Sequence, residues 1–203
     1  MTEKVQWSGK LVAVQPRIRL QRSFDQRQHS YPGYILMLSL GEILRVAIGK
    51  AAQAKHAFRV GDSVRGSSLP VADPRKESAD LYKTSGLKLL DRSEALEEPP
   101  PWHGPPPDLA IYRERGHRRL AAQTYNTRCQ SCIWACRMPV EMTIDHWNPR
   151  QKRYRFETFC YGPLACPSYS AGPTRKVPGR NGMSYEEEDW IDEDATSHRG
   201  PWE

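Results

Sequence analysis

Gly33-Tyr34-Ile35-Leu36-Met37-Leu38-Ser39-Leu40, the turn Gly41-Glu42, and Ile43-Leu44-Arg45-Val46-Ala47-Ile48 decide the fold of the N-terminal half. Two apolar runs of strand length that meet at a glycine-bearing turn read as a β-hairpin. Tyr34 to Leu40 is the longest apolar run, far short of the roughly 20 residues that cross a membrane as a helix. Working outward, Lys10-Leu11-Val12-Ala13-Val14 begins an earlier strand, and Lys50 to Phe58 is a short helical stretch. Val60-Gly61-Asp62-Ser63-Val64-Arg65-Gly66 is a tight turn entering a fourth strand, and Leu81 to Leu90 supply a fifth. The segment between the first two strands, Gln15 to Tyr34, reads as a basic loop.

Three strands, one helix and two strands is the order of the OB-fold, and residues 5 to 92 resemble that superfold. The resemblance implies binding of single-stranded nucleic acid or structured RNA on the second and third strands and the neighbouring loops, although the fold also hosts unrelated roles. Residues 1–93 are therefore expected to form an OB-like five-stranded β-barrel.

All five cysteines lie further on, at Cys129, Cys132, Cys136, Cys160 and Cys166, spaced C-x2-C-x3-C-x23-C-x5-C. The odd count, and the lack of a signal-peptide apolar core in MTEKVQWSGK, argue against disulfides and for a cytoplasmic location. Between the cysteine groups, Pro139 to Asp145 alternates apolar and polar, Trp147 to Lys152 reads as a turn, and Tyr154 to Phe159 as a second strand. Thiols at both open ends of a hairpin resemble a zinc ribbon. That resemblance implies zinc on Cys129, Cys132, Cys160 and Cys166, with Cys136 as alternative ligand. Departures are the x5 spacing and the fifth thiol. An iron-sulfur cluster is the rival cofactor, because three thiols fall within eight residues and Pro167 follows Cys166. His117 and His146 are further candidate ligands or groups behind the ligands.

Charge divides the chain into blocks. Residues 1–93 hold sixteen Lys and Arg against eight acids, 94–111 none against four, 112–180 thirteen against four, and 181–203 one against eight. The expected organisation is the barrel (1–93), a Pro-rich acidic linker (94–111), a Cys-rich metal-binding β-hairpin module (112–180) and an acidic tail (181–203). The fold class is mainly β, with irregular Pro-rich and acidic segments.

Basic segments carrying aromatic rings point to nucleic acid, since guanidinium groups grip phosphate and exposed rings stack on bases. The candidates are Arg17, Arg19, Arg22, Phe24, Arg27, Tyr31 and Tyr34 in the first block. Arg115, Arg118, Arg119, Arg153, Arg175 and Lys176 follow in the second. Tyr185, Trp190 and Ile191 sit among the acids of the tail, which is expected either to lie across the basic surface or to meet a protein partner.

No phosphate-cradling loop, nucleophile elbow or dinucleotide fingerprint is present, and no catalytic residue is assigned. Glu141, Asp145, His146 and Glu157 are the one carboxylate-imidazole set near the thiols. The expectation is a nucleic-acid-binding protein with a structural metal and no membrane partner. The alternatives are an iron-sulfur redox or sensing protein, or a small-molecule or acyl-group auxiliary. The last follows the OB-fold and zinc-ribbon pairs, in reverse order, that assist thiolase-type enzymes.

Overall fold

The computed structural model describes residues 3–94 and 99–203 and is mainly β. The first half contains β1 (Val5–Arg22), β2 (Arg27–Leu40), β3 (Glu42–Ile48), α1 (Lys50–His56), β4 (Ser63–Pro70) and β5 (Leu81–Asp91). The hairpin turns at Gly41, whose φ of +90° suits glycine. β1 pairs antiparallel with β2 and β4, and β4 pairs antiparallel with β5. β5 meets β3 in parallel at Val46 and Leu81, so five strands pair in a closed ring, β1-β2-β3-β5-β4-β1. Trp7, Leu11, Val14, Ile18, Leu36, Leu38, Val46, Phe58 and Val64 fill it.

The segment from Gln15 to Tyr34 is not a loop. β1 runs on to Arg22, β2 starts at Arg27, and only Ser23 to Gln26 turn the chain. Period-two alternation explains this: Ile18 and Leu20 point into the core, while Arg17, Arg19 and Gln21 point away from it. The arginines that looked like loop residues are the outer face of a strand. Pro16, which has no N–H to donate, pairs with Tyr34 on one edge of β1. It falls on the other edge between the end of the β4 ladder at Lys10 and the start of another at Leu20, where no ladder bond is lost.

The second ladder belongs to the Cys-rich half. That half comprises α2 (Leu109–Arg115), β6 (Arg118–Arg119), α3 (Ala122–Thr124) continued by a π-helical turn (Tyr125–Cys129), and the hairpin β7 (Ala135–Thr143) and β8 (Lys152–Cys160). β9 (Lys176–Pro178), β10 (Ser184–Glu186) and α4 (Trp190–Thr196) follow. Leu20, Gln21 and Arg22 pair in parallel with Val140, Glu141 and Met142, which joins β7, β8 and β6 to the ring as one sheet. One apolar core therefore contains Ile18 and Leu20 of β1 together with Tyr112, Met138, Val140, Phe159 and Tyr161. The boundary drawn between residues 93 and 112 is no break in packing.

The described part of the Pro-rich segment is clasped by both halves. Its Trp102 carbonyl accepts from the Ile133 N–H at 3.0 Å, His103 Nε2 lies 2.8 Å from Ser131 Oγ, and the Tyr34 hydroxyl donates to the Pro107 carbonyl at 2.7 Å. Residues 95–98 of that linker lie outside the described residues. Its last residues begin α2, where Leu109 and Tyr112 enter the core. Among the described residues, no helix is long and apolar enough to cross a membrane.

Ring closure near the hairpin leaves no room for a side chain at Gly33, where a Cβ would stand 2.0 Å from the Ile48 carbonyl oxygen. Gly33→Ala is predicted to destabilise the protein by about 3 kcal/mol, read as a lowered urea midpoint. An unchanged midpoint would mean that β2 and β3 separate there at little cost.

Candidate functional site

The cysteines fall into two environments. α3 and its π turn deliver Cys129, and a tight turn closes with the Cys132 N–H on the Cys129 carbonyl at 3.0 Å. Cys160 ends β8, opposite Ala135 at the start of β7, and Cys166 lies in the loop beyond. Burial, then the neighbouring Cys160 and Cys166 sulfurs, push the Cys129 thiol up to about 11. Cys132 reaches about 12 through burial, with Cys160 and Cys129 adding to it, while N–H groups of Trp134 and Trp102 on its sulfur pull the other way. The Cys160 sulfur is raised by burial and accepts from the Gly162 N–H at 3.4 Å. Cys136 stands apart in the main core, its S–H on the Pro16 carbonyl at 3.4 Å, raised by burial and with no thiol acting on it.

Both cysteine loops are held from behind. The buried Gln15 amide donates to the carbonyls of Cys129, Gln130 and Cys132 at 3.0 to 3.3 Å, and the Tyr125 hydroxyl donates to Gln15 Oε1 at 2.8 Å. Arg115 donates to the Tyr161 carbonyl, Arg118 to Pro163 and Leu164, and Arg199 to Tyr161 and Gly162. These guanidinium groups hold the loop between Cys160 and Cys166 through its carbonyls. Burial, then Arg115 and Arg118, lower Arg199 to about 10, while Cys160 and Glu203 act in the opposite sense. Among the described residues, no three Cys, His, Asp or Glu side chains are gathered tightly enough to hold a metal ion. His117 packs on Phe159 and His29, and His146 pairs with Asp25 at the opposite end of the hairpin.

Most of the candidate nucleic-acid residues already have partners. Arg17 and Arg19 share the buried Glu77, whose pKa stays below the usual carboxylate value because the two guanidinium groups outweigh its burial. Arg22 pairs with Glu157 and Glu187, Arg27 with Glu187, and Arg119 with Asp189 and Asp192. Arg175 lies on Phe159, pairs with Glu157, and donates to the Thr158 carbonyl. Tyr34 is buried in the core and Tyr31 is half-buried under Arg113, so neither ring offers a free face. Phe24, Arg153 and Lys176 remain exposed, Lys176 beside Glu186.

Phe24 and Arg153 lie at one end of the molecule, where three turns meet. The parallel pairing of β1 and β7 sets the β1–β2 turn beside the β7–β8 turn, with Phe24 5.8 Å from the His146 ring. Tyr185 of β10 stacks on Phe24 at 4.8 Å, and Arg180 pairs with Asp145 at 3.5 Å. An open groove of about 700 Å³ is lined by Arg22, Arg27, His146 and Lys152, and another of about 500 Å³ by Asp145, Arg153, Arg180 and Asn181. Trp147 stands 85 % exposed on the β7–β8 turn. Sequence reading placed that residue in a turn and passed over its ring. A tryptophan within a cationic turn is the signal that was available. No family model, curated protein or solved structure was found to match this chain.

The buried imidazoles beneath this end are predicted to make the fold acid-sensitive. Burial, then Arg27 and Arg22, hold His29 at about 4, with Glu187 opposing, and burial holds the neighbouring His117 well below its ordinary value. From the ordinary 6.5 down to about 4 the unfolded chain takes up a proton that folded His29 refuses. The contribution of this group is therefore predicted to be fully present above pH 6.5 and to be lost as pH falls toward 4, by at most about 3 kcal/mol. His29→Gln should flatten that part of a stability-against-pH curve. A curve of parental steepness would assign the loss to other groups.

Proposed function

We propose that this chain is a nucleic-acid-binding protein that meets single-stranded RNA or DNA with its three-turn end and is held by one structural zinc on Cys129, Cys132, Cys160 and Cys166. The ring order, with parallel β3 and β5 and α1 between β3 and β4, supports reading the first half as an OB-like barrel.

The observation that carries the nucleic-acid reading is the gathering of Phe24, His146 and the exposed Trp147 among Arg27, Arg150, Lys152, Arg153 and Arg180. Rings of this kind stack on bases without regard to sequence, and the cations follow the phosphates. The metal reading rests on a charge imbalance. Arg115, Arg118 and Arg199 crowd the Cys160 loop and donate to its carbonyl oxygens, Arg115 also lying over Trp134 and Arg118 over Tyr169, and Glu203 is the carboxylate acting on Arg115 and Arg199. Four thiolates around a divalent ion carry two negative charges, which this cationic shell and the N–H groups on Cys132 and Cys160 suit. Zinc bound there would close the open end of the β7–β8 hairpin, with an apparent binding free energy of about 10 to 16 kcal/mol that also stabilises the fold.

Trp147→Ala is predicted to weaken binding of a single-stranded oligonucleotide by about tenfold, measured by fluorescence anisotropy. The Trp147 emission should be quenched on binding to the parent. No binding by the parent at low salt would remove the nucleic-acid reading.

Cys129→Ser and Cys160→Ser should each lose the metal measured by elemental analysis, whereas Cys136→Ser should keep one equivalent. Metal lost equally from Cys136→Ser would make Cys136 a ligand. Iron and sulfide in brown, anaerobically purified protein would put a cluster in place of zinc.

A further inference from the structure

We propose that the β9–β10 hairpin is an internal ligand of the three-turn end: Tyr185 holds the place of a base on Phe24, and Glu187 holds the place of a phosphate between Arg22 and Arg27. The inference rests on the nucleic-acid reading above. It adds a built nucleotide subsite and a competitor for that subsite within the same chain.

The geometry has the parts of a bound nucleotide. Tyr185 lies over Phe24 at 4.8 Å with the rings 28° apart, the parallel stacking that a base adopts on an aromatic side chain. Two residues on, the Glu187 carboxylate is buried, 3.0 Å from Arg22 and paired also with Arg27. A phosphodiester carries the same single negative charge as this carboxylate, and the guanidinium fork fits both. Four guanidinium groups, of Arg22, Arg27, Arg155 and Arg175, here face two carboxylates, Glu157 and Glu187. Removing Glu187 leaves Arg22, itself buried, to share Glu157 with Arg155 and Arg175 and leaves Arg27 without its acid. An anion is required at that place, and the chain supplies its own.

The hairpin is also separable from the sheet it lies on. β9 and β10 pair with each other in a two-stranded sheet of their own, whereas β1 to β8 share the large one. It is tied down by polar contacts: Arg155 to the Lys176 carbonyl, Arg175 to the Thr158 carbonyl, Arg180 to Asp145, and further along Asp189 and Asp192 to Arg119. Val177 is its buried apolar anchor. Contacts of this kind weaken with salt and exchange readily for other charges. A strand entering the grooves brings a base and a phosphate that can replace Tyr185 and Glu187 while Arg119 still tethers the tail. Tethering gives the internal ligand a high effective concentration, so it lowers affinity without abolishing binding.

The test uses the full chain with labelled oligo-dT and oligo-rU at low salt. Glu187→Gln keeps the shape and removes the charge; Tyr185→Ala removes the ring and leaves every charge in place. Each should raise affinity by about tenfold, and Trp147→Ala should lower it. Adding oligonucleotide to the parent should speed amide hydrogen exchange at Tyr185 to Glu187 as the hairpin is displaced. If the parent binds and Trp147→Ala weakens it, but neither hairpin variant binds more tightly and exchange does not change, the hairpin is structural and this inference falls while the interface stands. If neither parent nor variants bind either oligonucleotide, the interface falls with it.

Discussion

Three residue pairs, Leu20 with Val140, Gln21 with Glu141 and Arg22 with Met142, hold the architecture together. Parallel pairing of β1 with β7 turns a closed ring and a Cys-rich hairpin into one sheet with one core. It depends on the length of β1, whose 18 residues outrun the β4 ladder and leave a free edge at its C-terminal end. An unpaired edge next to apolar Ile18 and Leu20 calls for a partner, and β7 supplies N–H and C=O groups together with Met138 and Val140. The same pairing sets the β1–β2 and β7–β8 turns side by side and the cysteine loops at the far end of the hairpin, separating the proposed metal from the proposed binding surface.

The formal charge of +6 is a poor guide to what a ligand meets. Buried or half-buried guanidinium groups must be compensated, because an isolated charge away from water costs several kcal/mol. Glu77, Glu157, Glu187, Asp189 and Asp192 compensate six of the arginines that sequence reading had offered to nucleic acid. Arg115 and Arg118 are drawn to backbone carbonyls. Of the candidates, Phe24 on the β1–β2 turn, Arg153 at the start of β8 and Lys176 at the start of β9 stay exposed. The acidic tail supplies three of those five acids, which is why the charge blocks along the chain do not survive as separate charged surfaces.

The two cysteine loops share one means of support: their carbonyls are fastened by side chains from distant parts of the chain. Gln15 comes from β1, and Arg115, Arg118 and Arg199 from α2, β6 and the C-terminal region. A buried amide that lost these bonds would cost about 1 to 3 kcal/mol, so the loops are shaped by the fold before any ion is considered. Cys136 differs from the other four because it sits on β7 facing the main core, where its sulfur packs as an apolar atom with a weak donor.

Local pattern alone determined the elements: the apolar runs around Gly41, the helix after Lys50, the strand after Gly61 and the hairpin between the cysteine groups follow from residue type and spacing. The zinc-ribbon resemblance offered Cys129, Cys132, Cys160 and Cys166 with Cys136 as the alternative ligand, and only the tertiary structure sets Cys136 apart in the main core. Local pattern misread Gln15 to Tyr34, because arginines and a proline outweighed the alternation of Ile18 and Leu20. Tertiary structure alone decided which arginines are free, that Tyr34 is core, that the turn bearing Trp147 lies beside the turn bearing Phe24, and that Glu187 returns to Arg22 across 165 residues of chain. Charge pairing and edge pairing act between residues far apart in sequence. Neither leaves a periodic trace, and each is settled only when burial makes an unpaired group too costly to keep.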